Sequence, residues 1–186
     1  MLVGAGQGAC AFLIQFLSIM VKWIGMNKME MKSMRWIPDD IAMFNKSSEY
    51  VDTAVVPLLP VAFGEGMKES AAMTDFASIL TSQLERQLQG RILLIPGHTY
   101  LKSKPEEAVS QLEKWEAELL DRQFKHVFYV TCDYDWKQRE GELKGTVLWL
   151  PSLPLEQMNE ASKVSVMEDQ VRQLMNLFIQ KWREEE

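Results

Sequence analysis

Three short runs of β-branched and apolar residues in this chain each end at a proline. They are TAVVPLLP (Thr53 to Pro60), RILLIPG (Arg91 to Gly97) and TVLWLPSLP (Thr146 to Pro154). A fourth, HVFYVTCD (His126 to Asp133), ends at a cysteine and an aspartate. Runs this short and this uniformly apolar suit strands covered on both faces, which is the situation of a parallel sheet. Amphipathic helical stretches separate most of them, the pattern of an α/β sheet whose strand carboxyl ends share one rim. In such a sheet a ligand sits at that rim.

The spacing predicts the individual elements. Pro38 and Asp39 open a short helix through Asn45, with Asp39 or Asp40 available to the free amides of its first turn. Tyr50 to Val56 reads as the first strand, with pairing expected to stop at Pro57, which has no N–H to donate. Met73, Phe76, Leu80, Leu84 and Leu88 recur at spacings of three and four, so a long helix is predicted over Lys68 to Gln89, with Gly90 as its left-handed cap. Arg91 to Ile95 is the second strand. Pro105 with Glu106 and Glu107 starts a second long helix whose buried face is expected to be Ala108, Leu112, Trp115 and Leu119. Lys125 to Thr131 and Thr146 to Leu150 are the third and fourth strands. Their connection is close to the minimum of about 12 residues for a parallel crossover and also suits a wide hairpin; the parallel arrangement is expected. Val164, Met167, Val171, Leu174, Phe178 and Trp182 mark a long C-terminal helix. The expected fold class is therefore α/β, a small Rossmann-like layered domain with a mostly parallel sheet of about four strands and three long helices.

A net charge of -6 over 186 residues, with Lys and Arg scattered among acids, argues against a nucleic-acid partner, which needs a basic face. Cys10 and Cys132 are the only cysteines, so a disulfide framework is not expected and a reducing, cytoplasmic location is. The first 33 residues read differently. The apolar run from Ala9 to Val21 is short for a membrane span of about 20 residues, so no stable membrane span is expected. It lacks the charged leader and cleavage site of a secretory signal. Met29-Glu30 must be encoded by a purine-rich stretch, and Met34 follows it at the distance of a bacterial start codon from its ribosome-binding site. Residues 1–33 are accordingly expected to be an extension outside a single domain over 34–186, with Met34 as the natural start.

Met34-Arg35-Trp36, Asp40-Ile41, the run Glu49 to Leu58, and the strand ends Leu94-Ile95-Pro96 and Trp149-Leu150-Pro151 resemble the YpiF-like family of Bacillus-type bacteria. The match covers nearly everything from Met34 onward. This is a family of unknown function, so the resemblance implies a lineage and no catalytic residues. The setting of its genes, similar to a cluster encoding a menaquinol–cytochrome c reductase, implies respiratory assembly or regulation by association.

Candidate chemistry is sparse. Gly64-Glu65-Gly66 follows the first strand and precedes a helix, which is the place of a ligand loop, although a plain turn has the same composition. His98, Cys132, Asp133 and Asp135 all belong to strand ends. If the second and third strands share a direction, His98 and Cys132 both emerge at the rim. The imidazole would then lower the thiol's pKa, and Asp133 or Asp135 would orient it, giving a nucleophile and base for a small hydrolase or transferase. The same groups could ligate zinc, but no CxxC or HxxxH spacing supports that, and no metal or cofactor is expected. Against a catalytic role, cysteine is among the most buried residue types. Tyr134 and Trp136 alternate with the acids and could wall a ligand or cover the sheet edge. With no complete catalytic set in view, a non-enzymatic accessory or protein-interaction domain is the leading expectation, and the Cys/His/Asp enzyme is its rival.

Overall fold

The computed structural model describes residues 33–184. In chain order the elements are α1 (Pro38–Ser47), β1 (Thr53–Val61), α2 (Met67–Gln87), β2 (Ile92–Leu94), β3 (His98–Leu101), α3 (Pro105–Arg122), β4 (His126–Thr131), the single turn α4 (Asp135–Gln138), β5 (Thr146–Trp149) and α5 (Glu160–Glu184). The sheet order is β2-β1-β4-β5, with β3 also on β1, and every pairing is parallel. The α/β layered class, the parallel β4–β5 pair and the three long helices are as expected from sequence. The expectations for the first 32 residues, including the apolar run from Ala9 to Val21, lie outside the described residues.

The prolines act differently from the expectation. β1 does not stop at Pro57; it runs on through Pro60 to Val61 in the centre of the sheet. In a parallel strand, alternate residues address opposite neighbours. The Val55 carbonyl accepts from Ile95 N and the Val61 carbonyl from Lys102 N, so the odd-numbered residues of β1 face β2 and β3. Pro57 therefore turns its missing donor toward the gap at Pro96-Gly97, where the partner strand is itself interrupted. Pro60 faces the β4 side, but β4 pairs only as far as Leu58, and the Pro60 carbonyl accepts from Thr74 Oγ1 at 2.8 Å instead. Neither proline leaves a ladder acceptor waiting, and that is why both are tolerated inside a central strand.

The second strand likewise resumes after its proline. Thr53 is level with Ile92 but Leu58 is level with His98, so one extra residue is accommodated between β2 and β3. This is a bulge, and it raises the strand count from about four to five. A side chain on Gly97 would place Cβ 2.4 Å from Leu59 Cδ1 and 2.9 Å from Leu59 Cγ, so the bulge needs a glycine for close approach.

Two apolar layers enclose the sheet. On one face α1 and α3 cover Val51, Ala54, Val56, Leu58, Leu93, Val127 and Tyr129. On the other, α2 and α5 cover Val55, Ile92, Phe128, Val130 and Leu148 with Phe76, Leu80, Leu84, Leu174 and Phe178. Trp182 near the end of α5 donates Nε1 to Thr53 Oγ1 at 2.9 Å, and Arg91 stacks 3.9 Å from the centroid of its ring. The expected buried stripe of α3 needs one correction. Trp115 is 38% exposed, whereas Glu116 is buried. Glu116 accepts from Lys144 N (3.0 Å), Gly145 N (2.6 Å) and Tyr129 Oη (3.2 Å), so it ties α3 to the start of β5 with its charge held by three donors. His126 is half-buried at the start of the interior strand β4.

Candidate functional site

Because all pairings are parallel, the chain segments that follow β1, β3, β4 and β5 gather at one edge. Register sets which side chains meet there. Pro60 is level with Tyr100, and β4 ends three residues short of β1, so Cys132, Asp133 and Tyr134 come up beside the end of β3.

Asp133 is the centre of the edge. Its Oδ2 accepts from Tyr100 Oη at 2.7 Å and its Oδ1 from Lys102 Nζ at 2.8 Å. Asp135 N adds a longer bond of 3.3 Å, and the Asp133 amide donates to Thr131 Oγ1 at 3.1 Å. Asp133 is buried, and an anion so placed is stable only when paired and hydrogen-bonded. Burial, with Asp133 alongside, pushes the Tyr100 phenol well above its ordinary range. Burial alone would lower Lys102, but the bond to Asp133 and the charges of Asp133, Asp135 and Glu69 outweigh it and hold the ammonium above its usual value. Asp135 lies 3.8 Å from the same ammonium. The result is a neutral phenol, a fixed ammonium and a carboxylate locked between them.

His98 and Cys132 are not brought together. His98 shares a face of β3 with Tyr100, and its ring meets Trp115 of α3 edge-on at 5.4 Å. Cys132 packs among the residues under α2 and α5, on the opposite face of the sheet. The central strand β1 and the thickness of the sheet therefore separate the imidazole from the thiol. Burial first, and Asp133 second, push the Cys132 thiol up to about 12, the reverse of an activated nucleophile. Burial also lowers His98, whose Nε2 has no hydrogen-bond partner. Among the described residues no group of three or more His, Cys, Asp or Glu side chains is placed to hold a metal ion.

The expected rim residues separate into two kinds. Gly64–Gly66 forms a 3₁₀ turn directly after β1, Gly64 with a left-handed φ of 79°, and Glu65 is exposed. Tyr134 and Asp135 are exposed too, and the Tyr134 ring meets Trp149 edge-on at 5.2 Å. Trp136, which could have walled a ligand or covered the sheet edge, is buried in the α1/α3 layer, edge-on to Tyr100 at 5.4 Å. Sequence reasoning missed Tyr100 and Lys102, because the strand carrying them was expected to end at Pro96. It also missed the apolar groups of the edge. Phe63 is 75% exposed just after β1, and Met67, Leu101 and Tyr134 are exposed beside the ends of β1, β3 and β4. A separate apolar groove of about 640 Å³ lies on the α1/α3 side, lined by Trp36, Phe44, Pro96, Trp115, Leu119 and Phe124.

Fold and edge together define a three-layer parallel α/β domain with an internally neutralised polar cluster and exposed apolar groups at its strand carboxyl ends. The chain belongs to the family described as "Protein of unknown function (DUF2487)", whose model matches residues 42–182. It is similar to "Uncharacterized protein YpiF" of Bacillus subtilis (strain 168), with 32% identity over 149 residues, covering 80% of this chain and 98% of that relative. No solved structure matches the chain. No helix among the described residues is long and apolar enough to cross a membrane.

Proposed function

We propose that the protein acts through contacts, as an accessory or regulatory domain whose working surface is the carboxyl edge of the sheet. The observation that carries this reading is the placement of Phe63, Leu101 and Tyr134. Three separate strand ends each deliver an exposed apolar side chain to one edge. A single exposed apolar residue is ordinary, but several gathered at one functional edge mark a surface built to be covered. Glu65, Glu69 and Asp135 lie in the same segments, and the cations there are each engaged by an acid: Lys102 by Asp133, Lys104 by Glu107 and Lys68 by Glu156. The partner this surface fits is a protein segment with apolar side chains flanked by Lys or Arg, whose charge the acids would steer and orient.

The Cys/His/Asp hydrolase or transferase reading has less support, because the thiol and the imidazole occupy opposite faces and the thiol is held protonated. The family's resemblance-based link to menaquinol–cytochrome c reductase genes makes a subunit or assembly factor of that complex the first partner to try.

The test is affinity capture with the intact chain and with a Phe63→Ser/Tyr134→Ser variant. Both sites are exposed, so folding, checked by circular dichroism, is expected to persist. The account predicts a co-purifying protein whose retention falls with added salt and is lost in the variant. Equal retention by the variant would count against the edge as the contact surface.

A further inference from the structure

We infer that the buried carboxylate of Glu85 is the receptor for a free α-ammonium group on Met34, so that the working protein begins at that residue. Glu85 lies in the last turns of α2 and is 0% exposed. Among the described residues it accepts two hydrogen bonds, both from the segment that enters the fold: Oε1 from Met34 N at 2.6 Å, and Oε2 from Ser33 Oγ at 2.8 Å. Both donors are neutral. A fully buried carboxylate is rare unless its charge is matched, and an ammonium supplies the opposite charge that an amide lacks.

Met34 is anchored in every direction the fold allows. Its side chain is 4% exposed in the α1/α3 layer. Its carbonyl accepts from Leu94 N at 2.9 Å, and Arg35 forms a parallel bridge with Leu94 on the outer edge of β2. The atom facing Glu85 is thus the main-chain nitrogen of the first residue that packs into the core. Translation starting at Met34 would turn that one N–H into three and place a positive charge 2.6 Å from the carboxylate, with no side chain moved. The bond from Ser33 would be given up, and the ammonium's additional donors would replace it. The inference agrees with the purine-rich stretch ahead of Met34, and it rests on different atoms from the proposed contact edge. Its failure would leave that edge untouched.

The decisive experiment uses the protein made from its own gene with the upstream sequence intact. Intact mass and N-terminal peptide sequencing should find Met34 first, with an unmodified amine. A peptide spanning Lys32 to Arg35, or starting anywhere in residues 1–33, would overturn the inference. Next, the α-amine is acylated under native and denaturing conditions. The native rate should be slower by about tenfold or more, since reaction must await local opening. Glu85→Gln should abolish most of that protection. An amine that labels equally fast in both conditions would overturn the inference without any need for the variant to fold.

Discussion

Replacing Asp133 with asparagine is the most informative single change at the edge. Asn keeps the shape and one carbonyl oxygen but loses the charge, and it points an NH₂ group at either Tyr100 Oη or Lys102 Nζ. Removing one member of a fully buried ion pair costs about 3–5 kcal/mol, which sets the ceiling. Lys102 is 29% exposed and can retreat to water, and Asp135 already waits 3.8 Å away. What is lost is then mainly one hydrogen bond to a charged group, roughly 1.5–3 kcal/mol, and the lower half of that range applies. The expected destabilisation is about 2 kcal/mol, which for a domain of this size lowers Tm by about 4–8 °C. Urea unfolding followed by tryptophan fluorescence measures it. Adding Tyr100→Phe completes a double-mutant cycle, in which Tyr100 and Asp133 should show a coupling of about 0.5–3 kcal/mol, as residues sharing a hydrogen bond do. A change for Asp133→Asn within about 0.5 kcal/mol of zero, the range of ordinary surface substitutions, would refute the locked-carboxylate picture. The variant also frees the Lys102 charge at the edge, so it should weaken binding of the basic partner proposed above.

Three further outcomes follow from the same geometry. Cys132 should resist alkylation at neutral pH, by a factor of about a hundred or more against an exposed thiol, until the protein unfolds; peptide mapping by mass spectrometry reads this at Cys132 alone, and rapid native labelling would contradict its placement. His98 is lowered in the folded state, so the unfolded chain takes up a proton first as pH falls through about 6.5. Its contribution to stability is present above that pH and is lost below it down to the folded value. His98→Phe should remove this acid-side slope in urea midpoints between about pH 7.5 and 5, at no loss of stability at pH 7.5, since Nε2 has no partner to lose; an unchanged slope would count against it. Gly97→Ala should destabilise by about 1–3 kcal/mol through the contact with Leu59, measured by the same unfolding assay.

Helix positions were legible because their apolar residues repeat at the helical spacing: Phe76, Leu80 and Leu84 are all buried under α2, and Gly90 takes the left-handed φ of 80°. The sheet was legible as to class and direction, but its punctuation was misread. Proline forbids a ladder bond only where an acceptor waits for it, and acceptors are set by register, which a single strand's sequence does not carry. Pro57 faces the Pro96-Gly97 bulge and Pro60 faces space beyond β4, so both sit inside β1. The same misreading hid Tyr100 and Lys102, the partners of Asp133. Cys132 directly follows the end of β4, whereas His98, expected past a strand's carboxyl end, opens β3 level with Leu58 inside the sheet. Which face His98 addresses depends on the one-residue shift at the bulge, and a slip of one residue turns a side chain to the other side. Glu85 and Glu116 carried no signal, since a buried glutamate at helical spacing is indistinguishable in sequence from a solvated one.

The contact edge is tested most directly by site-specific photo-crosslinking in the native cell. A photoreactive residue replaces Phe63 in one variant and Trp115, in the α1/α3 groove, in another. The account predicts a discrete protein adduct from position 63 and none from position 115. An adduct from position 115 with none from position 63 would move the working surface to the α1/α3 groove and contradict it.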